Sequence, residues 1–212
     1  MQAALLAASL EQLPRVFHSE ADFKQALAWA LHRQFPSLTI RAEYPVGDVI
    51  VDLWLADGET TMAVELTSPT KPFEAQPADE TFQFGNDPTD MGCYASLADL
   101  ERLETRVAAG HCDRGVAVIL TTDTLTWDNQ SSGANDDALT LSDGRTVGGR
   151  LAWPEAARRR ASQDRVLELD GDYTLEWQAY ASQHPARASG NTAFNYGLTA
   201  VAPSAPTAAA SC

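Results

Sequence analysis

Two runs, VIVDLWLA (49–56) and TTMAVELTS (60–68), meet at DGET (57–60) and constrain this chain more than any other stretch. Each alternates apolar and polar residues at the period of a half-buried strand, and the Asp-Gly between them is a hairpin signal. With DGET as the turn, Ala56 pairs with Thr61, Leu55 with Met62 and Asp52 with Glu65. Val49, Val51, Leu53 and Leu55 then share a face with Met62, Val64 and Leu66, an apolar surface suited to a core. Asp52 and Glu65 oppose each other on the other face, with β-carbons about 5 Å apart. Two carboxylates that close repel, and a shared proton, an arginine or a divalent cation offsets the cost. A hard cation such as Mg²⁺ accepts one or two carboxylates together with water and phosphate oxygens. The bland reading is an acidic, solvated strand face, and a two-residue loop at Asp57-Gly58 would shift the register.

Around this hairpin the pattern predicts a helix over 18–35, with Ser19 as N-cap and Pro36 as its stop. A strand over 39–46 precedes the pair. Residues 73–92 read as a loop, 94–109 as an amphipathic helix ended by Gly110, and 114–123 as a buried central strand. Residues 138–153 read as a hairpin turning at Asp143-Gly144, and 193–201 as a last strand. The first residues, MQAALLAASLEQLP, read as a short helix packed on the domain. Helix, three meandering strands, helix and strand make an α/β fold with a mixed sheet, one domain over 1–201, and a low-complexity tail over 202–212.

The order of SEADF, VDLWL and AVELT resembles the PD-(D/E)XK, or restriction-endonuclease-like, nuclease superfamily. Further stretches, among them FHSEADFKQALAW, YASLADLERLE and AFNYGLTAV, extend the likeness over about 17–201 and resemble a prokaryotic group within it. The resemblance implies a restriction-endonuclease-like core with an added C-terminal β hairpin and strand. It implies Mg²⁺- or Mn²⁺-dependent phosphodiester hydrolysis, with Glu20, Asp52, Glu65 and the carbonyl of Leu66 as metal ligands. It also implies a lysine two residues after Glu65, and Thr67 stands there instead. A threonine donates a hydrogen bond but brings no charge to a site where electrostatic stabilisation is often the largest catalytic term. Lys71, beyond the Ser68-Pro69 bend, and Lys24, one helical turn from Glu20, are the two candidate replacements. The alternative is a catalytically impaired relative that serves as a binding or interaction module; an unrelated α/β protein would place Asp52 and Glu65 on different faces.

Charge and composition limit these readings without deciding between them. The net charge of −14 counts against a general nucleic-acid binder but not against an enzyme with a local basic patch. DNA ranks ahead of RNA as substrate, and a homodimer is among the oligomeric states left open. No run is long and apolar enough for a membrane span. Cys93, Cys112 and Cys212 include no CxxC pair, which argues against zinc and a disulfide framework and suits a reducing cytoplasm. Asp99, Glu101, Arg102 and Glu104 read as a solvated helix face, with Arg102 or Arg106 able to reach phosphate if that helix flanks the site. Arg158, Arg159 and Arg160 form the basic run, and no GxGxxG, Walker, GxSxG or HExxH motif occurs.

Overall fold

In the computed structural model, Ser19 opens the first long helix: its hydroxyl accepts from the Asp22 amide at 3.1 Å, and the Asp22 carboxylate accepts from the His18 amide at 2.9 Å. The structure describes residues 3–13, 16–69, 73–75, 82–84, 89–128, 139–152, 165–180, 188–189 and 194–203. Helix α1 spans Ala4–Leu10 and α2 spans Glu20–Gln34; the backbone leaves helical geometry at Phe35, just before Pro36. Strands β1 (Thr39–Val46), β2 (Val49–Asp57) and β3 (Thr60–Thr67) follow as an antiparallel meander. Two short strands, β4 (Phe73–Ala75) and β5 (Phe82–Phe84), occupy part of the stretch expected to be loop.

Helix α3 runs Thr89–Ala108 and so begins five residues earlier than the sequence pattern suggests. Gly92 misleads there. It sits inside the helix, where a β-carbon would lie 2.2 Å from Pro69 Cβ, so its role is close approach and not a turn. Then come β6 (Arg114–Thr121), a one-turn helix α4 (Thr124–Trp127), β7 (Thr146–Leu151), β8 (Leu167–Thr174), β9 (Trp177–Ala179), β10 (Ala188–Ser189) and β11 (Asn195–Val201).

The result is mixed α/β. A six-stranded sheet has the order β1-β2-β3-β6-β11-β9, with β3 and β6 parallel; β10-β4-β5 and β7-β8 form smaller sheets. The expected hairpin at Asp143-Gly144 is not formed. Residues 139–142 are not in a strand, and β7 pairs instead with β8, whose alternating LELDGDYT offers a longer antiparallel partner. Two apolar clusters cover the large sheet. On one face Leu6, Leu10, Phe23, Leu27 and Leu31 of α1 and α2 meet Leu53, Leu55, Met62, Val64 and Val118. On the other, Leu97, Leu100, Leu103 and Val107 of α3 meet Val51, Ala63, Ala117 and Ile119 together with β7 and β8.

The β2–β3 register is as expected, Leu55 with Met62 and Ala56 with Thr61, but the loop is the two residues Gly58 and Glu59. Gly58 at φ +60 takes the first central position of a type II′ turn. One expectation needs correction. Val51 does not share a core with Leu53 and Leu55: it packs under α3, and they pack under α1 and α2. The change of face falls at Asp52, opposite Glu43, a non-glycine residue at φ +50. The regular β1–β2 register skips that pair, so the strand turns over where Asp52 sits.

Candidate active site

Side-chain alternation in β3 puts Ala63, Glu65 and Thr67 toward α3 and Met62, Val64 and Leu66 toward α2. Glu65 is therefore buried, 4% exposed, in the layer between sheet and α3. Asp52, at the turnover of β2, is reachable from both layers. Its Oδ2 accepts from the Leu66 amide at 2.8 Å and its Oδ1 from Lys24 Nζ at 2.7 Å. Lys24 comes down from α2 and also donates to Glu43. Glu20, one turn earlier, accepts from the Ser68 amide at 2.9 Å. Ser68 is fixed in turn by its hydroxyl, which donates to the Leu120 carbonyl at 3.0 Å.

From the other side α3 supplies Asp99 and Arg102. Thr67 Oγ1 donates to Asp99 Oδ2 at 2.6 Å, Arg102 pairs with Asp99, and Arg102 Nε stands 3.6 Å from Glu65 Oε1. The expected solvated face of α3 is thus overturned at Asp99 and Glu104, which are buried against the neighbouring strands, while Glu101 and Arg102 stay half-buried. Lys24 was one of two candidate replacement lysines, and it reaches the cluster. Lys71 lies outside the described residues, as do Trp153, Arg158, Arg159, Arg160, His184 and Cys212 and the tail from residue 204 on.

Glu20, Asp52, Glu65 and Asp99 lie within electrostatic reach of one another, and their acidities record it. Burial first, then the Asp99 charge, push Glu65 up to about 8, with Arg102 opposing. Burial raises Asp99 to about 6 against the pull of Arg102 and Thr67, and burial raises Glu20 against the Ser68 amide. Burial works against the charge on Lys24, but Asp52 and Glu43 outweigh it and hold the ammonium above its usual pKa. A cleft of about 260 Å³ opens beside the cluster, lined by Glu20, Thr67, Ser68, Pro69, Met91, Gly92 and Ala95.

By donor chemistry the four carboxylates suit a hard cation. Glu65 Oε1 is buried without a hydrogen-bond partner and faces Arg102 Nε at 3.6 Å. The other oxygens are engaged by the chain: Asp52 by Lys24 and the Leu66 amide, Asp99 by Thr67 and Arg102. Consistent with that, no group of three or more His, Cys, Asp or Glu among the described residues is placed to hold a metal ion. No family model matches the chain, and neither does any curated protein or solved structure.

Proposed function

We propose that the chain is a metal-dependent nuclease of the restriction-endonuclease-like kind, hydrolysing phosphodiester bonds in DNA ahead of RNA. The observation that carries this reading is the approach of Lys24 to Asp52, 2.7 Å across from α2, beside a buried Glu65 whose Oε1 has no hydrogen-bond partner. Glu20, Asp52, Glu65 and the Leu66 carbonyl would hold Mg²⁺ or Mn²⁺, which when bound polarises a phosphate and acidifies water. Lys24 has three N–H donors and spends two on Asp52 and Glu43, leaving one for a water or a phosphate oxygen. Because Asp52 and Glu43 keep it charged, its part is electrostatic and orienting and not that of a base. Thr67 then supports the site through Asp99 and not through a charge of its own. Cys93 and Cys112 are buried and not joined in a disulfide, which suits a reducing cytoplasm.

A second reading, a nuclease-like fold kept as a binding module, draws on one observation: the chain's own groups engage both oxygens of Asp52. Cleavage of plasmid DNA and of RNA with Mg²⁺ or Mn²⁺ separates the two. The nuclease reading expects cleavage that chelation stops and that Asp52→Ala and Glu65→Ala each abolish. A metal-stripped preparation that still cuts, or mutants that cut like the parent, rejects it. Activity appearing only in Thr67→Lys supports the binding-module reading.

A further inference from the structure

Thr67 occupies the place where the resemblance puts a lysine, and a second cation, Arg102, approaches Glu65 from α3. Its anchoring is a chain of three contacts: Thr67 to Asp99 at 2.6 Å, Asp99 to Arg102 across one helical turn, and Arg102 Nε to Glu65 Oε1 at 3.6 Å. Asp99 and Glu65 are buried, whereas the Arg102 side chain is 41% exposed, so Arg102 is the charged member of the chain that reaches water. Arg106, one turn on, differs: its side chain is 10% exposed and it pairs with Asp48 at 2.8 Å. Arginine has five N–H donors in a fixed plane, and Nε and Nη2 are the nitrogens turned toward Glu65 and Asp99. The remaining donors match the geometry of a phosphate.

We infer that Arg102 contacts a phosphate of a polynucleotide bound at this site, with Asp99 and Thr67 as positioning residues that hold its guanidinium beside Glu65. The inference rests on the nuclease reading above and deepens it. Lys24 serves Asp52 from the α2 side and Arg102 serves Glu65 from the α3 side, so each of these two acids has its own cation. A lysine at position 67 is then unnecessary: the threonine hydroxyl fixes an aspartate, and the aspartate fixes the charge.

The test uses the full chain and two readouts, Mn²⁺-dependent cleavage and the salt dependence of binding to a fluorescent DNA oligonucleotide in Ca²⁺. Arg102→Gln is expected to lower the slope of log Kd against log salt by about 1, as for loss of one phosphate contact. It should also reduce kcat/KM by about a hundredfold, as for loss of one preorganised charge. Arg102→Lys keeps the slope but recovers only part of the rate, because a point charge replaces a planar fork. Thr67→Val lowers the rate and keeps the slope; Thr67→Ser restores the rate. Arg102→Gln leaves Asp99 without its cation and could unfold the chain, so Asp99→Asn with Arg102→Gln removes the pair together and must show the same slope change.

Unchanged slope and rate in both Arg102→Gln proteins, with Asp52→Ala inactive, overturn the inference and leave the nuclease reading standing. A parent protein that does not cut, yet binds DNA with a slope that falls in Arg102→Gln, fails the nuclease reading and keeps the phosphate contact. A parent protein that binds no DNA overturns both.

Discussion

Lys24 answers two carboxylates with one ammonium, and removing it exposes what the site costs the fold. Its side chain is 13% exposed and that of Asp52 20%, while Glu43 is largely in water. Lys24→Met would leave Asp52 with the Leu66 amide alone. Breaking a pair this far from water should cost about 1–2 kcal/mol, discounted from the fully buried case because Glu43 is exposed. Urea unfolding measures that loss. On the nuclease reading the same variant should lose about a hundredfold or more in cleavage rate, and Lys24→Arg should recover stability without recovering the rate. Much of this cluster was legible in the sequence. The turn set the β2–β3 register and helix periodicity put Glu20 and Lys24 on one face, but the paired residues end at Leu53 and Val64, so Asp52 and Glu65 are neighbours without being the expected ladder pair. Asp99 was not legible. Whether α3 turns its acids to solvent or to Glu65 depends on which layer Glu65 enters, and only the three-dimensional packing decides that. Nor does anything local in VIVDLWLA announce that the strand turns over at Asp52, where the irregularity faces Glu43, at positive φ, on the neighbouring strand.

Helix α3 joins the site to the smaller sheet. Its apolar positions meet the large sheet, while Glu101 and Glu104 reach the other way and accept backbone amides of β8. Glu104 takes three donors: the Asp170 amide at 2.9 Å, the Gly171 amide at 2.7 Å and the Tyr173 hydroxyl at 2.7 Å. Burial and this carboxylate push the Tyr173 phenol well above its usual pKa. Glu104→Ala takes the acceptor from two backbone donors and a hydroxyl at a half-buried position and should cost about 1–2 kcal/mol. Hydrogen exchange at Asp170 and Gly171 should rise with it, and unchanged exchange there would show that β8 is held by its apolar side chains alone. The elements themselves were mostly readable: α2, the β1–β3 meander, β6 and β11 follow from periodicity and stop signals. The hairpin over 138–153 was not, because two extended runs flank 146–151 and the pattern cannot choose between a near partner and β8. A glycine chosen for close packing, Gly92, hid the first turns of α3 in the same way.

For the whole molecule the buried acids set how stability varies with pH, and this gives a test of the cation site that needs no substrate. Glu65 lies at about 8 in the fold against 4.5 when unperturbed, and Asp99 at about 6 against 3.8. Raised values mean that the folded chain keeps protons the unfolded chain has released. Their contribution to stability is therefore complete below the ordinary carboxylate pKa and is lost as pH rises through about 4 to 8. A chain of net charge −14 also repels itself as pH rises, so the comparison that isolates the site is with Glu65→Gln, whose melting temperature should vary less over the same range. A divalent ion binds the ionised carboxylate, displaces the proton and stabilises the fold by mass action. Added Mg²⁺ or Mn²⁺ should consequently raise the parent's melting temperature, and the rise should shrink in Glu65→Gln and in Asp52→Asn. On the nuclease reading Glu65 and Lys24 would bear on one ion from opposite layers, so the Lys24→Met protein, relieved of the competing ammonium at Asp52, should gain more from the metal than the parent does. A metal-induced shift that is the same in all four proteins would place the ion elsewhere on this acidic surface and remove the chemical basis of the nuclease reading.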